Sequence, residues 1–504
     1  MMNPKDASQG EPLRRHAAQA NAWNADHEIM LKAAADHALA FRRTLQDRPQ
    51  RPAKTFAAMR EVFAGDLAAE GCDGAAVIEE LVRLAEPGLS AMAGPRFFGW
   101  VIGASHPVGV AADWLTAAWG QNTGNHAATP AAAACEDVAA QWLLELLDLP
   151  RDCSVGFVTG ATVASFTCLA AARGEVLRRV GWDAEAQGLF GAPPVRVLIG
   201  DDAHTSIFSA LQFLGLGHDR VIRVATDAMG RMRVADFETA IRDSVGPAIA
   251  IAQAGQLITG GFDPIGEIAA IAHRHGAWVH VDGAFGLWAR ACPETARLAA
   301  GCEAADSWAV DGHKWLQTPY DCGYAIMRDA EAHRRAMTIT ASYLPAAAAG
   351  ERNPSHFVPE LSRRARGFAT WAMIRALGRT GIAAMVAGHC RLARRMAAAL
   401  GAEPGIAIEN EVELNQVAVR FGAGQSDAGL SDESGDAATR HVIERLQAEG
   451  ICFADGARWR GRWIMRLSVI SWPTTEEDAD RSAAAIIAAW RAVQAEAGLG
   501  KSRG

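Results

Sequence analysis

No two cysteines in the 504-residue sequence have CxxC spacing, and the nine present are scattered from Cys72 to Cys452. An odd, unpaired set excludes a disulfide or zinc-ribbon framework and fits a reducing compartment. No stretch approaches the roughly 20 apolar residues of a membrane span. The polar segment from Met1 to Glu28 lacks the apolar core of a secretory signal. A cytoplasmic location without a membrane partner is therefore the expectation. No basic block offsets the formal net charge of −8, which argues against nucleic acid as a partner. The sequence also lacks a GxGxxG fingerprint. Gly500-Lys501-Ser502 resembles the end of a P-loop but has neither the first glycine nor a following helix. His273, His275 and His280 straddle a helix end and a strand, so no metal site is expected.

What the chain does have is an ordinary globular composition, 50% hydrophobic and 21% charged, with ample material for a large core. Residues 1–26 read as a flexible leader. Residues 27–130 read as a helical N-terminal segment. Ile29, Leu31, Ala35, Leu39 and Phe41, then Val77, Ile78, Leu81 and Leu84, recur at helical spacing, with Pro49 and Pro52 between the groups. Such a segment cannot bury its stripe alone and should pack on the main domain or on a second subunit. The aromatic cluster Pro95-Arg96-Phe97-Phe98-Gly99-Trp100-Val101 has two readings, a core or interface plug and a wall of a substrate pocket. Thr129-Pro130 opens a helix through Leu149, proline being well placed in a first helical turn.

Residues 131–400 read as the large domain. From Ser154 to Arg328 strand candidates alternate with helical stretches: Arg196–Ile199, Val221–Val224, Ala248–Ala252, Trp278–Val281, Ser307–Val310 and Gly323–Met327. That alternation predicts an α/β domain with a mainly parallel sheet. Residues 341–362 lack periodicity and read as a lid or binding loop, followed by a helix from Arg363 to about Leu400. Residues 401–504 read as a small α+β domain: strand Gln416–Phe421, helix Ala438–Glu449, strand Trp463–Ile470 and a last helix after Thr474. Thr474 and Glu477 have capping-box spacing, and Gly422 to Ala437 reads as an exposed insertion.

Two strand ends carry the chemistry. Trp278-Val279-His280-Val281-Asp282 delivers an aspartate, and Ser307 to Asp311 leads through Gly312-His313 to Lys314. Open α/β sheets bind ligands at the carboxyl ends of their strands. An amine beside a carboxylate there is what pyridoxal phosphate (PLP) requires: one forms an imine with the cofactor, the other keeps its pyridine nitrogen protonated. Thr159-Gly160-Ala161-Thr162, ahead of a helical run, offers backbone N–H groups to a phosphate. His204 follows a strand and is either a cap or a ring to stack on the cofactor. Asp311 and His313 flank the lysine and could orient it or reach the phosphate.

These residues resemble those of the group II pyridoxal-phosphate-dependent decarboxylases, which include aromatic amino acid, glutamate and diaminobutyrate decarboxylases. The resemblance runs from about residue 28 to 490. It is most specific at Asp311-Gly312-His313-Lys314-Trp315, at Tyr320-Asp321-Cys322 and at His280-Val281-Asp282. It implies the PLP-dependent transferase (aspartate aminotransferase-like) fold, with a mainly parallel seven-stranded sheet. It implies further that Lys314 anchors PLP, Asp282 pairs with its ring nitrogen, His204 stacks on the ring, and Ala161 and Thr162 hold the phosphate. Phe98 and Trp100 look like pocket-lining positions, and Arg363-Arg364-Ala365-Arg366 like the basic start of the helix after the mobile loop. A homodimer with shared active sites is implied as well.

The implied activity is decarboxylation of an L-amino acid by a carboxy-lyase. Three departures bear on it. Val163 stands where an acidic residue is usual, and Gln256-Leu257 where a Thr-Thr pair is common. Counting back from Arg363, the position of the loop tyrosine that protonates the product falls near Pro354, with no tyrosine nearby. His356 is the candidate acid in its place. The product, amine or aldehyde, therefore stays open. An aldehyde synthase, another lyase or an aminotransferase with Arg466 as its carboxylate partner shares the same pattern, as does a PLP-binding protein without turnover. The identity of the amino acid is open too. The aromatic cluster favours an apolar side chain, and no cation is assignable to a side-chain carboxylate.

Overall fold

The computed structural model describes residues 26–243, 245–338, 352–422 and 432–496. The leader reading over residues 1–25, the first half of the 341–362 loop (341–351) and the insertion reading over 423–431 lie outside the described residues. A seven-stranded sheet forms the middle of the large domain: β1 Ser154–Val158, β2 Arg196–Gly200, β3 Ile222–Val224, β4 Ala248–Gln253, β5 Trp278–Asp282, β6 Ser307–Asp311 and β7 Gly323–Met327. Their spatial order is β1-β7-β6-β5-β4-β2-β3. β7 pairs antiparallel with both β1 and β6, and the remaining pairings are parallel. Every residue of β4, β5, β6 and β7 is buried, as befits a sheet covered on both faces.

β1 has no counterpart among the strands expected from the sequence. It is short and carries Gly156, where a Cβ would overlap the carbonyl of Phe357. The close backbone approach requires glycine and so removes the β-branched signal a strand normally shows. Helix Ala161–Arg178 lies across one face of the sheet. The long helix Gly367–Gly401 contains a break at Gly378, with φ 60°, which turns its second half toward the small domain. The three arginines ahead of it pair with separate elements: Arg363 with Glu136 at 2.7 Å, Arg364 with Asp113 at 2.7 Å, and Arg366 with Asp321 at 2.8 Å.

The small domain holds a second, antiparallel sheet. Its strands are β8 Ile406–Ile408, β9 Gln416–Phe421, β10 Asp455–Trp459 and β11 Arg462–Ser468, in the order β10-β11-β9-β8. Helices Asp432–Glu449 and Glu476–Glu496 cover it. β8 and β10 were not expected, being a three-residue edge strand and one interrupted by Gly456. Helices Phe56–Phe63 and Gly74–Ala85 bury none of their residues within the chain.

The structure decides the two readings of the aromatic cluster. Phe97 and Phe98 are buried, and Phe98 belongs to the small-domain core. The Phe98 N–H donates to the Phe453 carbonyl, and its own carbonyl accepts from the Ser468 N–H. The Phe97 ring stacks on Phe453 at 4.6 Å. Phe98 is therefore a plug between domains, and the expectation that it lines a substrate pocket is corrected. Backbone pairing, invisible in composition, has committed the ring to the core.

Three fully buried histidines tie this scaffold together as neutral rings. His333 sits between the Ser154 hydroxyl and the Phe357 carbonyl, and His389 accepts from the Trp315 indole and faces the Ser471 carbonyl. His280 meets the Ser307 hydroxyl at 3.0 Å. Burial pushes His280 and His333 down to about 3 and His389 to about 4. In the unfolded chain the same rings bind protons near ~6.5. Folded pKa values lie below unfolded ones, so the stabilisation is present above about pH 6.5 and is lost as pH falls toward 3–4. Each ring should contribute a slope of about 1.4 kcal/mol per pH unit in that window. Thermal melts at pH 7 and pH 5 should show a marked drop, and His333→Gln should flatten it.

Candidate active site

The carboxyl ends of β2, β4, β5 and β6 meet the first turn of helix Ala161–Arg178 around a cavity of about 350 Å³. Each strand hands over one polar group where its apolar run stops. β6 ends in Asp311, and the chain turns through Gly312 and His313 to Lys314. The Lys314 Nζ lies 2.8 Å from one Asp311 carboxylate oxygen. The other oxygen accepts the Ala161 N–H at 2.6 Å. Asp311 is buried, so it has exchanged water for a helix N-terminus and an amine, both favourable to an anion.

β5 ends in Asp282, which is paired in register with Gln253 at the end of β4. Asp282 is buried, and one carboxylate oxygen accepts the Ala284 N–H at 3.2 Å. His204 follows β2 and caps helix Thr205–Phe213. Its Nδ1 accepts from the Ser206 N–H at 3.2 Å and the Ser206 hydroxyl at 2.7 Å. That arrangement leaves the proton on Nε2. Burial lowers the His204 pKa, against the pull of the Asp282 carboxylate and with the help of Lys314; the ring is neutral at pH 7. His313 is likewise shifted down by burial, with Asp311 opposing. It packs against Tyr320 with ring centroids 4.6 Å apart.

Ala161, Thr162, His204, Asp282, Asp311, His313 and Lys314 all line this one cavity. Trp100 does not: its ring is half exposed beside Phe453, and the next two residues, Val101 and Ile102, form the wall instead. His356 is also outside. It sits in the turn Pro354–Phe357, which packs beside β1, and its pKa is lowered by burial and by Arg334. The structure therefore does not bring His356, expected as a proton donor, into the lining of the cavity of its own chain. Leu257, Phe285, Gln253 and Ser206 complete the lining without having been singled out as site residues. Gln253 was detectable in principle, as the polar end of an apolar strand. Val101 and Ile102 carry no chemical signal at all.

Gln317 was missed as well. It is buried, and its side chain accepts from the Ala104 N–H at 2.8 Å and donates to the carbonyls of Lys314 at 3.0 Å and Ile470 at 2.7 Å. It thus ties the lysine loop to the cavity wall and to the small domain.

Several features fit a phosphorylated, ring-bearing cofactor. The helix at Ala161 has no side-chain cap from Gly160; Asp311 takes its first amide, and the amides that follow in the same turn face an anion favourably. A Cβ on Gly160 would come within 3.1 Å of the His313 ring and 3.2 Å of Asp311; glycine keeps that approach clear. The His313 Nδ1 is buried without a hydrogen-bond partner, which a phosphate or ring substituent would satisfy. Fold and donor set together define the class, an α/β enzyme dependent on pyridoxal phosphate.

Comparison with known proteins makes this specific. Residues 58–422 match the pyridoxal-dependent decarboxylase conserved domain. Tryptophan decarboxylase 1 of Oryza sativa subsp. japonica is 27% identical over 412 residues, covering 78% of this chain and 79% of that protein. The aromatic-L-amino-acid decarboxylase of Sus scrofa is 27% identical over 414 residues, 78% of this chain and 82% of its own. The crystal structure of Oryza sativa TDC with PLP and tryptamine superposes with a TM-score of 0.86 at 23% identity, over 93% of this chain and 98% of that one. Mouse CSAD gives 0.85 at 21% identity, over 92% and 98%. The chain belongs to the pyridoxal-dependent decarboxylase family. It is a PLP-dependent amino-acid decarboxylase, a carboxy-lyase.

One position tests how closely the wall and the lysine loop are fitted. The Gly103 N–H donates to the His313 carbonyl at 2.9 Å, and a Cβ there would overlap the carbonyls of His313 and Lys314. Gly103→Ala should leave the fold intact but push the Lys314 loop away. Titration with PLP should then show affinity weakened by on the order of tenfold or more, as overpacking by ~1–3 kcal/mol requires. Unchanged affinity would show that the loop yields freely.

Proposed function

We propose that this chain removes the α-carboxylate of an L-amino acid with an apolar, aromatic side chain, and that it works as a homodimer. The observation that carries the substrate class is the lining of the cavity. Val101, Ile102, Val163, Leu257 and Phe285 supply its apolar surface, and among the described residues Lys314 is the one lysine or arginine there. An amine engaged with the cofactor is not free to meet a side-chain carboxylate, so acidic substrates lack a partner and apolar ones do not. The relatives that bear tryptophan and aromatic-L-amino-acid decarboxylase names agree with this choice.

When bound, PLP supplies an electron-accepting ring on which a carboxylate can leave as carbon dioxide. The side chains have separate tasks. Lys314 would anchor the cofactor through its amine, which Asp311 holds 2.8 Å from its carboxylate. Asp282 would serve as the buried carboxylate that keeps the ring nitrogen protonated. His204, neutral and fixed by its cap to Ser206, would be the ring that faces the cofactor. Thr162 and the backbone of the helix start would hold the phosphate, and the unpaired His313 Nδ1 would add a polar contact. The apolar wall excludes water from the reacting carbon, which strengthens each of these electrostatic contacts.

The dimer is supported by an apolar face. Trp114, Leu115 and Trp119 on helix Pro107–Trp119 are exposed, as is Trp371, and the helices Phe56–Phe63 and Gly74–Ala85 have no fully buried residue in their own chain. Large exposed apolar groups of this kind are what a second copy of the chain would cover. His356, being off the cavity of its own chain, could act catalytically only on the cavity of a second copy.

Carbon dioxide release from a panel of amino acids by the PLP-loaded protein tests the substrate class. L-Tryptophan, L-tyrosine or L-phenylalanine should be turned over well ahead of L-glutamate, and preference for glutamate would overturn it. Lys314→Ala should lose covalent cofactor capture on borohydride reduction. Asp282→Asn should lower kcat by on the order of 10²–10³-fold, the usual loss for a preorganised electrostatic partner.

A further inference from the structure

The tip of the β10–β11 hairpin reaches from the small domain onto the large one. Its two turn residues are Arg460 and Gly461, at φ 49° and 85°. Left-handed backbone at both positions is the turn that best suits a twisted hairpin, and it favours Asn, Asp or Gly at the first position. An arginine there is out of place by backbone preference, so its side chain must supply the reason. The Arg460 guanidinium donates to the Asp202 carboxylate at 2.9 Å, to the Thr226 hydroxyl at 3.0 Å and to the Asp227 carbonyl. The same Asp202 oxygen accepts the Thr226 hydroxyl at 2.5 Å. Trp459, the preceding residue, is buried. A Cβ on Gly230 would stand 2.9 Å from its ring, so the glycine admits the indole.

Asp202 lies two residues before His204, in the loop that leaves β2. That loop is tied to β4 by the His204 N–H, which donates to the Gln253 side chain at 3.2 Å. The hairpin therefore holds the near end of the loop while β4 holds the far end. We propose that Arg460 is a positioning residue, a clasp by which the small domain fixes the His204 loop over the cofactor cavity. This rests on the reading of His204 as the ring that faces the cofactor. The pair is partly exposed, with side chains 38% and 21% accessible, so it adds little to global stability. Its effect is on where the loop sits. Any movement that lifts the small domain releases the clasp and with it His204.

Arg460→Gly is the discriminating variant, because glycine is at home at φ 49° and the hairpin should fold at least as well. In the full-length protein, its melting temperature should match or exceed that of the parent. Its PLP dissociation constant should rise and kcat should fall by about tenfold, the size of a lost charge-assisted contact, with KM little changed. Arg460→Lys should fall between the two. Asp202→Ala should show the same loss, and the double variant should be no worse than either single one. PLP affinity and kcat within about twofold of the parent for Arg460→Gly, or strictly additive losses in the double variant, would overturn the clasp. His204→Gln separates the layers. If it weakens PLP binding while Arg460→Gly does not, the clasp alone is wrong. If His204→Gln binds PLP with parental affinity and spectrum, the reading of His204 fails and takes the clasp with it.

Discussion

The structure depends on one buried carboxylate. Asp311 faces the Lys314 amine with one oxygen and the first amide of a long helix with the other. Both partners are positive, and both would be poorly placed without it. A buried ammonium left alone is strongly destabilising, as is a buried carboxylate whose partner has been removed. The pairing therefore forces the end of β6, the lysine loop and the helix start into a single arrangement. It also joins the lysine proposed to anchor the cofactor to the turn proposed to hold its phosphate. Neither can shift independently of the other.

Around that pair the cavity wall is suspended rather than built in. Residues 95–106 run from the small domain to the lysine loop. At one end Arg96 is buried in an ion pair with Asp478 at 2.8 Å, and Phe98 is paired with Phe453 and Ser468. At the other, Gly103 and His106 donate to the carbonyls of His313 and Gln317. Val101 and Ile102, part of the apolar wall of the cavity, lie between these attachments. The Arg460 hairpin makes a second crossing between the domains, onto Asp202, Thr226 and Asp227. Shape and polarity in the pocket are thus set by both domains together, although the chemistry is carried by the large one.

The parts of this picture that sequence could reveal are those where one residue type at one position has a chemical reason. Lys314, Asp282 and the glycine-bearing turn at Gly160 stood out because a strand end with an amine or a carboxylate has few uses. The parallel sheet was visible in its alternation of apolar runs and helices. What stayed hidden were contacts between distant segments. β1 was masked by Gly156, whose absence of side chain serves the approach of Phe357. Phe98 was ambiguous because an aromatic beside a cavity and an aromatic in a core have the same composition. Gln317 carries no chemical signal in the sequence. Two of its hydrogen bonds reach segments more than a hundred residues away, one on either side, and the third holds Lys314. The departures at Val163 and Leu257 were legible as departures, but only the cavity shows what they do: each turns part of its lining apolar.

The reversed direction of β7 has a consequence of its own. In a wholly parallel sheet, the loop after β6 would lead into a helix and could lengthen or shorten with little effect on the strands. Here β7 returns beside β6, so residues 312–322 are clamped at both ends by the same ladder, Asp311 opposite Gly323. Further bonds from Gly312 and His313 to the Cys322 carbonyl close the loop on itself. Its length is thereby locked to the register of two buried strands. Over evolutionary time such a segment can exchange side chains but cannot take insertions without moving the lysine. Novelty in substrate choice is left to the suspended wall and to the domain crossings, where the chain is free to vary.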